Sequence, residues 1–361
     1  MKPIRILVDS LADAGLPNAQ MGNAREIVSR LDPEDFHVSI FKIGEPDRRI
    51  ASRKNTRFIQ LPKRKQTVRI LSEFLCGSHR MLFYMKASPA SKWYSSLRTK
   101  WRDRRTTIGT VESQSNLKDE PTIKPEARRL YEQTILRCDY LFSNSFPVQR
   151  SLQQEYGLDS QVIPTGVDTD FFSPNWERTP GVRPRVLFAG SLRPFKQPQF
   201  LLSAAARFPQ ADFRIAGEGL MGSQLSARIV REELRNVVLL GLLDAQRLRE
   251  EYRRAAVFLF PSTWEGSPKV LLEAAACGVP VIARNNYAPE TVVHNVTGYQ
   301  AASEEELYSR LQVLLADREL RTKLGRAGRL HSLKFDWGVI AAQWANVFAR
   351  LANGAELRQA S

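Results

Sequence analysis

Two glutamates eight positions apart, Glu265 and Glu273, lie in the segment FPSTWEGSPKVLLEAAACGVPVIA (260–283), and its local chemistry gives them different places. The apolar run 257–260 predicts a strand that leads into a loop holding Ser262, Thr263, Glu265 and Gly266. Ser267 is a good N-cap, and Pro268 suits a first helical position, where its missing N–H is not needed. Lys269, Val270 and the following Leu and Ala residues form a small-faced helix, which Gly278 and Pro280 end. The loop therefore lies where free N–H groups and the positive end of the helix dipole attract phosphate. A carboxylate such as Glu265 is a poor phosphate ligand there but a good acceptor for sugar hydroxyls. Glu273, inside the helix, can accept from a ribose diol. The same positions equally describe a surface Glu265 and a Glu273 that closes a packing face, and the residues alone leave both readings open.

A second constellation lies in VLFAGSLRPFK (186–196). Gly190, directly after a buried strand, permits a tight turn and close approach of phosphate oxygens, with Ser191 next to it. Lys196 can set a point charge against a diphosphate, and Arg193 is a further donor whose direction depends on the turn. The alternative for Lys196 is an exposed lysine at a helix start. Gly217 and Gly219 in RIAGEG mark another turn after a strand, a weak signal alone. No GxGxxG follows either leading strand and no GxxxxGK[ST] occurs, which disfavours dinucleotide oxidoreductases and P-loop nucleotidases. His37, His79, His294 and His331 show no metal-binding spacing, so no metal is expected. His79, beside Arg80, reads as a partly exposed residue that could meet a ligand.

The 260–283 segment resembles the EX7E motif of the retaining glycosyltransferases of family 4, of the glycogen-synthase and phosphatidylinositol-mannosyltransferase type, with Glu265 and Glu273 at the two glutamates. VIPTGVD (162–168), the Gly190–Lys196 loop, RIAGEG (214–219) and the PE…TG stretch at 289–298 resemble further family segments in the same order. The resemblance implies an α/β protein of GT-B fold: two Rossmann-like α/β/α domains facing each other across a cleft. It implies a metal-independent hexosyltransferase with no cofactor, whose donor is a nucleoside-diphosphate sugar (UDP- or GDP-linked). It places Glu265 on the transferred sugar, Glu273 on the ribose, and Gly190, Ser191, Arg193, Lys196, Gly217 and residues Gly266, Ser267, Pro268, Lys269 and Val270 around the donor. The chain departs from the family pattern at Ser191, where arginine is usual. It departs again in GTVES (109–113), where Glu112 stands in place of a histidine. Gly22, with Asn23, is the counterpart of small residues that approach donor and acceptor; its other reading is the opening of a helix. Rival readings are another GT-B enzyme, of epimerase or phosphorylase type, or a non-catalytic basic protein with a nucleotide pocket.

Positioning these residues calls for two α/β units. Strands are expected at 4–8, 37–43, 81–85, 106–111, 140–143 and 161–163, and again at 186–189, 212–216, 237–240, 257–260 and 281–283, with helices between them. A polar turn with Asp13, Gly15, Pro17 and Asn18 follows the first strand. The proline-rich stretch 172–184 suggests a linker, giving domains 1–175 (acceptor side) and 176–335 (donor side). A last helix, 336–353, is expected to pack back on the first domain.

The charge is regional. Of 53 basic and 38 acidic residues, positions 48–105 hold 17 Lys and Arg against only Glu73 and Asp103, so the remainder is neutral. That block also contains Phe74, Leu75, Met81, Leu82, Phe83, Trp93, Tyr94, Leu97 and Trp101, which suits a solvated face or a surface for anionic lipid or a lipid-linked saccharide acceptor. Nucleic acid is not expected, because no recognition motif accompanies the charge. Cys76, Cys138 and Cys277 make no disulfide or zinc pattern, and there is no leader-like or membrane-spanning run. A cytoplasmic protein, peripheral on the membrane at most, is the expectation.

Overall fold

The computed structural model describes residues 2–14, 19–101, 103–112, 125–177 and 181–354; Gly15, Pro17 and Asn18 of the expected turn, and Ser113, lie outside them. The chain divides into two compact units, one formed by residues 1–165 together with 337–361 and the other by 166–336. The proline-rich stretch 172–184 falls within the second unit.

The first unit alternates strand and helix: β1 (Ile4–Leu11), α1 (Ala19–Arg30), β2 (Phe36–Lys42), α2 (Arg48–Ala51), β3 (Thr56–Gln60), α3 (Gln66–Cys76), β4 (Met81–Tyr84), α4 (Pro89–Trp101), β5 (Thr106–Val111), α5 (Pro125–Glu132), β6 (Tyr140–Ser143), α6 (Phe146–Tyr156) and β7 (Gln161–Val162). The strands form one parallel sheet in the order β3-β2-β1-β4-β5-β6-β7. Every strand connection is a crossover, so both faces are covered and the central strands read as continuous apolar runs. One face packs against the chain's last helix, Trp337–Ala352. Trp344 meets Phe83 and Phe142 at ring distances of 4.7 and 4.8 Å, and Phe348 closes on Phe83 at 5.3 Å. The other face is filled by Phe74, Tyr84 and Tyr94 with Leu82 and Val111.

The second unit repeats the plan: β8 (Arg185–Ala189), α7 (Gln199–Arg207), β9 (Asp212–Ala216), α8 (Gly222–Arg231), β10 (Val237–Gly241), α9 (Ala245–Arg254), β11 (Val257–Phe260), α10 (Lys269–Ala276), β12 (Val281–Arg284), β13 (Gly298–Ala301), α11 (Glu304–Ala316) and α12 (Arg318–Ser332), before the chain returns to the first unit as α13 (Trp337–Ala352). Its parallel sheet has the order β10-β9-β8-β11-β12-β13. In both sheets the order reverses beside the first strand, at β1/β4 and at β8/β11, and a crevice opens outside the carboxyl ends of strands at such a point.

The basic block needs correction. Phe74, Met81, Leu82, Phe83 and Tyr94 are core residues, so they cannot form a lipid-facing surface; Trp93 and Trp101 on α4 stand well exposed, as does Val68 on α3. His79 is also buried rather than partly exposed. Its Nε2 lies 2.9 Å from Oε1 of Glu73, which Arg57 and Arg69 pair with at 2.7 and 3.1 Å. Burial first, then nearby arginines, lower the His79 pKa against the pull of Glu73, so this histidine ties α3 to the sheet. Asp103 is likewise consumed, pairing with Arg105 and accepting from the Tyr94 hydroxyl at 2.9 Å. Both acids of the block are thus used internally against its own arginines, and Glu26, Asp47 and Asp139 from outside it pair with Arg49 and Arg98.

Candidate functional site

At the β8/β11 reversal, three turns meet. The turn after β8 and the turn after β9 interlock through backbone bonds: Gly190 N–H donates to Ala216 O at 3.0 Å, Leu192 N–H to Glu218 O at 2.9 Å, and Met221 N–H to Leu192 O at 3.0 Å. This closeness requires glycine. A Cβ on Gly217 would lie 1.9 Å from Gly190 O, and one on Gly219 would lie 2.7 Å from Leu192 O. Gly217 also holds a φ of +132°, where an L-residue is strained. Ser191 follows the turn half-buried, and Arg193 is exposed and forms no ion pair among the described residues.

The third turn carries Glu265. Thr263 N–H donates to Phe195 O at 2.8 Å, which fastens the 262–265 loop to the loop after β8. Across this junction Lys196 Nζ pairs with Glu265 Oε1, and Ser262 Oγ donates to the same oxygen at 2.6 Å. Lys196 Nζ also sits 5.0 Å from the centre of the Phe260 ring. Sequence positions 69 apart therefore meet as one half-buried charge pair, with one Glu265 oxygen committed to it. The hydroxyl of Tyr287, buried and without a hydrogen-bond partner among the described residues, lies near enough that burial and the Glu265 charge push its pKa well above the usual value.

Helix α10 begins one residue later than its sequence suggests. Pro268 is the N-cap, with an extended ψ of 113°, and Ser267 does not cap it. A proline has no side-chain acceptor, and Leu271 N–H in the first turn donates to Pro268 O at 3.2 Å; ahead of the helix, the amides of Gly266 and Ser267 donate to no acceptor among the described residues. Gly266, Ser267, Lys269 and Val270 are all half-buried there. Glu273 points onto α9, where the fully buried Tyr252 donates its hydroxyl to Oε2 at 3.0 Å. Burial raises the Glu273 pKa, opposed by the Tyr252 bond and by Lys269. The glutamates do not converge on one atom: one faces the lysine, the other a tyrosine. Tyr252 and Tyr287 escaped sequence reasoning, and Ser262 entered it only as a residue of the loop. Ser262, three residues before Glu265 on a loop, was the one with a readable signal.

In the first unit, Glu112 follows β5 and is tied down: Asn23 Nδ2 donates to Oε2 at 3.2 Å, Thr110 Oγ1 to Oε1 at 3.4 Å, and Asn144 Nδ2 to its carbonyl at 2.8 Å. Thr165 Oγ1 donates to Asn23 Oδ1 at 3.2 Å. Gly22 lies within the first turn of α1 rather than in a loop before it. The β1/β4 reversal holds a separate cavity of about 240 Å³ with Asp9, Gln66 and Lys86 in its wall. Asp9 Oδ2 is buried without a hydrogen-bond partner among the described residues, and burial raises its pKa from 3.8 to about 7 despite Lys86. Because the folded value is raised, Asp9 contributes most stability below 3.8, and that contribution is lost as pH rises toward about 7. Asp9→Asn should match the parent protein in urea unfolding at about pH 4 and exceed it at about pH 8. At about 1.4 kcal/mol per pKa unit the gap is a few kcal/mol; an unchanged pH dependence of the two midpoints would remove the assignment.

Among the described residues no three His, Cys, Asp or Glu side chains gather as a metal site, and no helix is long and apolar enough to cross a membrane.

The comparisons meet the geometry in the second unit. Residues 172–331 match the family model described as glycosyl transferases group 1. A D-inositol 3-phosphate glycosyltransferase of Corynebacterium jeikeium is 30% identical over 280 residues, covering 70% of this chain and 67% of that protein. One of Nocardiopsis dassonvillei is 31% identical over 258 residues, covering 64% of this chain and 60% of its own length. The chain thus spans about three fifths to two thirds of these relatives. Among solved structures, a sucrose-phosphate synthase from Thermosynechococcus elongatus superposes with a TM-score of 0.80 at 20% identity, over 98% of this chain and 100% of that one. Anabaena HepE, in complex with UDP and glucose, gives 0.77 at 18%, over 96% and 99%. At such identity these likenesses speak to the fold, and that fold is the expected GT-B type with two Rossmann-like α/β/α domains.

Proposed function

The chain belongs to the group 1 glycosyl transferases, and on that premise we propose that it moves a sugar from a nucleoside-diphosphate sugar to a hydroxyl acceptor with retention at the anomeric carbon. The observation that carries the reading is the Lys196–Glu265 junction at the β8/β11 reversal. It joins a cation to two interlocked glycine turns, with the amides of Gly266 and Ser267 just ahead of α10.

In this reading the second unit holds the donor. Lys196, with Arg193 reaching in from solvent, takes the charge that grows on the diphosphate as the glycosidic bond breaks. Gly190, Ser191 and Gly217 let the backbone approach the phosphates, and the amides of Gly266 and Ser267 complete the cradle. Glu265 accepts from the sugar hydroxyls with its oxygen not used by Ser262 and Lys196, while Pro268, Lys269 and Val270 shape the helix start. Glu273 accepts from the ribose diol. Its raised pKa suits burial beneath a nucleoside, since Tyr252 already donates to one oxygen. The leaving phosphate is the base for the acceptor proton, so no separate general base is needed. In the first unit, Glu112 and Gly22 are assigned to the acceptor side, with Asn23 holding the Glu112 carboxylate.

A screen of UDP- and GDP-sugars by thermal shift, followed by turnover on the hits, tests the proposal. One donor should raise Tm, and Glu273→Ala should remove most of that shift. If no nucleotide sugar stabilises the protein or is turned over, the reading is wrong.

For the acceptor we favour a saccharide on an anionic lipid, as in glycolipid or envelope-polysaccharide synthesis, with the basic helix α4 at the membrane face. Its Trp93 and Trp101 (60% and 62% exposed) are apolar side chains that can enter a headgroup layer. Vesicles containing anionic lipid should bind the protein in low salt, and Trp93→Ala/Trp101→Ala should reduce binding several-fold. Binding indifferent to salt, lipid charge and both tryptophans would exclude this face.

A further inference from the structure

We infer that the second unit carries another anion site, at the opposite edge of its sheet from Lys196, built for a compact ligand with two or more phosphate groups. A cavity of about 660 Å³ lies there, within the 300–1,000 Å³ typical of small-molecule sites. It is placed by strand starts: Arg185 opens β8, Ala256 precedes β11 and Pro280 precedes β12. Gly190 and the Glu265 loop follow the other ends of the same parallel strands, roughly 15 Å away at about 3.3 Å per residue.

Seven arginines line the cavity, Arg183, Arg185, Arg253, Arg254, Arg318, Arg321 and Arg326, and no Asp or Glu does so among the described residues. Three of them have protein partners that explain their place. Arg183 pairs with Asp212 at 3.0 Å, Arg253 with Glu250 at 2.9 Å, and Arg321 donates to Leu314 O and Leu315 O at 2.6 and 3.1 Å, closing the end of α11. Arg185, Arg254, Arg318 and Arg326 form no ion pair among the described residues. Arg185 Nη1 is shut from solvent with no hydrogen-bond partner among the described residues, and Arg326 lies over the Trp176 ring at 5.6 Å.

Two features make a merely solvated arginine cluster a poor account. Arg318 and Arg321 occupy the first turn of α12, the positive end of the helix, where basic side chains are disfavoured; Glu319 in the same turn does not line the cavity. Asp317 beside them is engaged as the N-cap, its carboxylate accepting from Leu320 N–H at 2.8 Å. Burial and the Arg318 charge accordingly lower the Arg321 pKa. A multiply charged anion removes this repulsion. Guanidinium groups on several elements can hold separate phosphate groups bidentately, which a single phosphate could not use. The inference stands apart from the transfer reaction, since none of these arginines touches the donor crevice.

Arg254, Arg318 and Arg326 are exposed, so their replacement leaves the core intact. Inorganic tripolyphosphate is titrated by calorimetry in low salt into the parent protein, Arg318→Gln/Arg326→Gln, Arg254→Gln and Lys196→Ala, with Trp176 fluorescence as a second readout. Lys196→Ala should retain a site that the double variant loses by roughly tenfold or more, with Arg254→Gln between them. Vesicles of phosphatidylcholine with a phosphoinositide distinguish the source: arginine-dependent vesicle binding identifies a lipid headgroup, and arginine-dependent tripolyphosphate binding alone identifies a free anion. Equal tripolyphosphate affinity in the parent protein, Arg318→Gln/Arg326→Gln and Arg254→Gln would overturn the site.

Discussion

Replacing Lys196 by alanine should lower kcat on the order of 10²- to 10³-fold while leaving the fold in place, the loss typical when a preorganised charge at a developing anion is removed. Lys196 is 15% exposed and already oriented by Glu265 and by the Phe260 ring, so in the proposed reaction it would meet the diphosphate without reorganising. Its removal also leaves Glu265 with Ser262 alone. The pair therefore should not act additively. Glu265→Gln in a Lys196→Ala background should cost much less than Glu265→Gln alone, because the two groups form one unit. Steady-state kinetics on both singles and the double checks this. A lysine with only a structural role would lower Tm in Lys196→Ala and leave kcat near the parent value.

The second large effect is on stability. Gly217→Ala should destabilise the second unit by about 3–5 kcal/mol, the range of severe backbone and packing conflicts. Two causes act together: a positive φ that alanine resists, and a Cβ set 1.9 Å from the Gly190 carbonyl, which belongs to backbone and cannot rotate away. Gly157 is the internal control. It ends α6 with a φ of +64° and nothing within 4 Å of an added Cβ, so Gly157→Ala should lose only about 1–2 kcal/mol. Urea midpoints of the two variants decide it; equal losses would mean that the interlocked turns can separate. Gly217→Ala should also abolish donor binding, because the same clash parts the two turns.

Strands with long apolar runs, such as β8, β11 and β12, were legible in the sequence because burial on both faces leaves an unbroken signal. Strand β3 (TRFIQ) was not, since an edge strand needs only one apolar face and its pattern is half exposed. Strand β13 (GYQA) was missed for a related reason: two of its four residues are Gly and Ala. Helices α3 and α4 were obscured by the charge of the basic block, whose apolar residues suggested a surface and turned out to be core. At the candidate site, positions along the chain could be read but pairings could not. Nothing in the sequence shows that Lys196 meets Glu265 or that Tyr252 caps Glu273, because both contacts join side chains from separate elements. The start of α10 was misplaced by one residue because Ser267 is the better cap by type, while the chain turns at Pro268.

Helix α13 has a consequence for how the protein is made. The first unit is interrupted in sequence by the whole of the second, and one face of its sheet packs against residues that come after residue 336. During synthesis at about 5–20 residues per second, the second unit is fully translated while Phe83 and Phe142 still lack Trp344 and Phe348. The inserted unit can thus mature before the one that began first, and the nascent first unit carries a bare aromatic face for the intervening seconds. That face is where a chaperone would bind the growing chain, and a ribosome stalled after residue 336 would leave it permanently open.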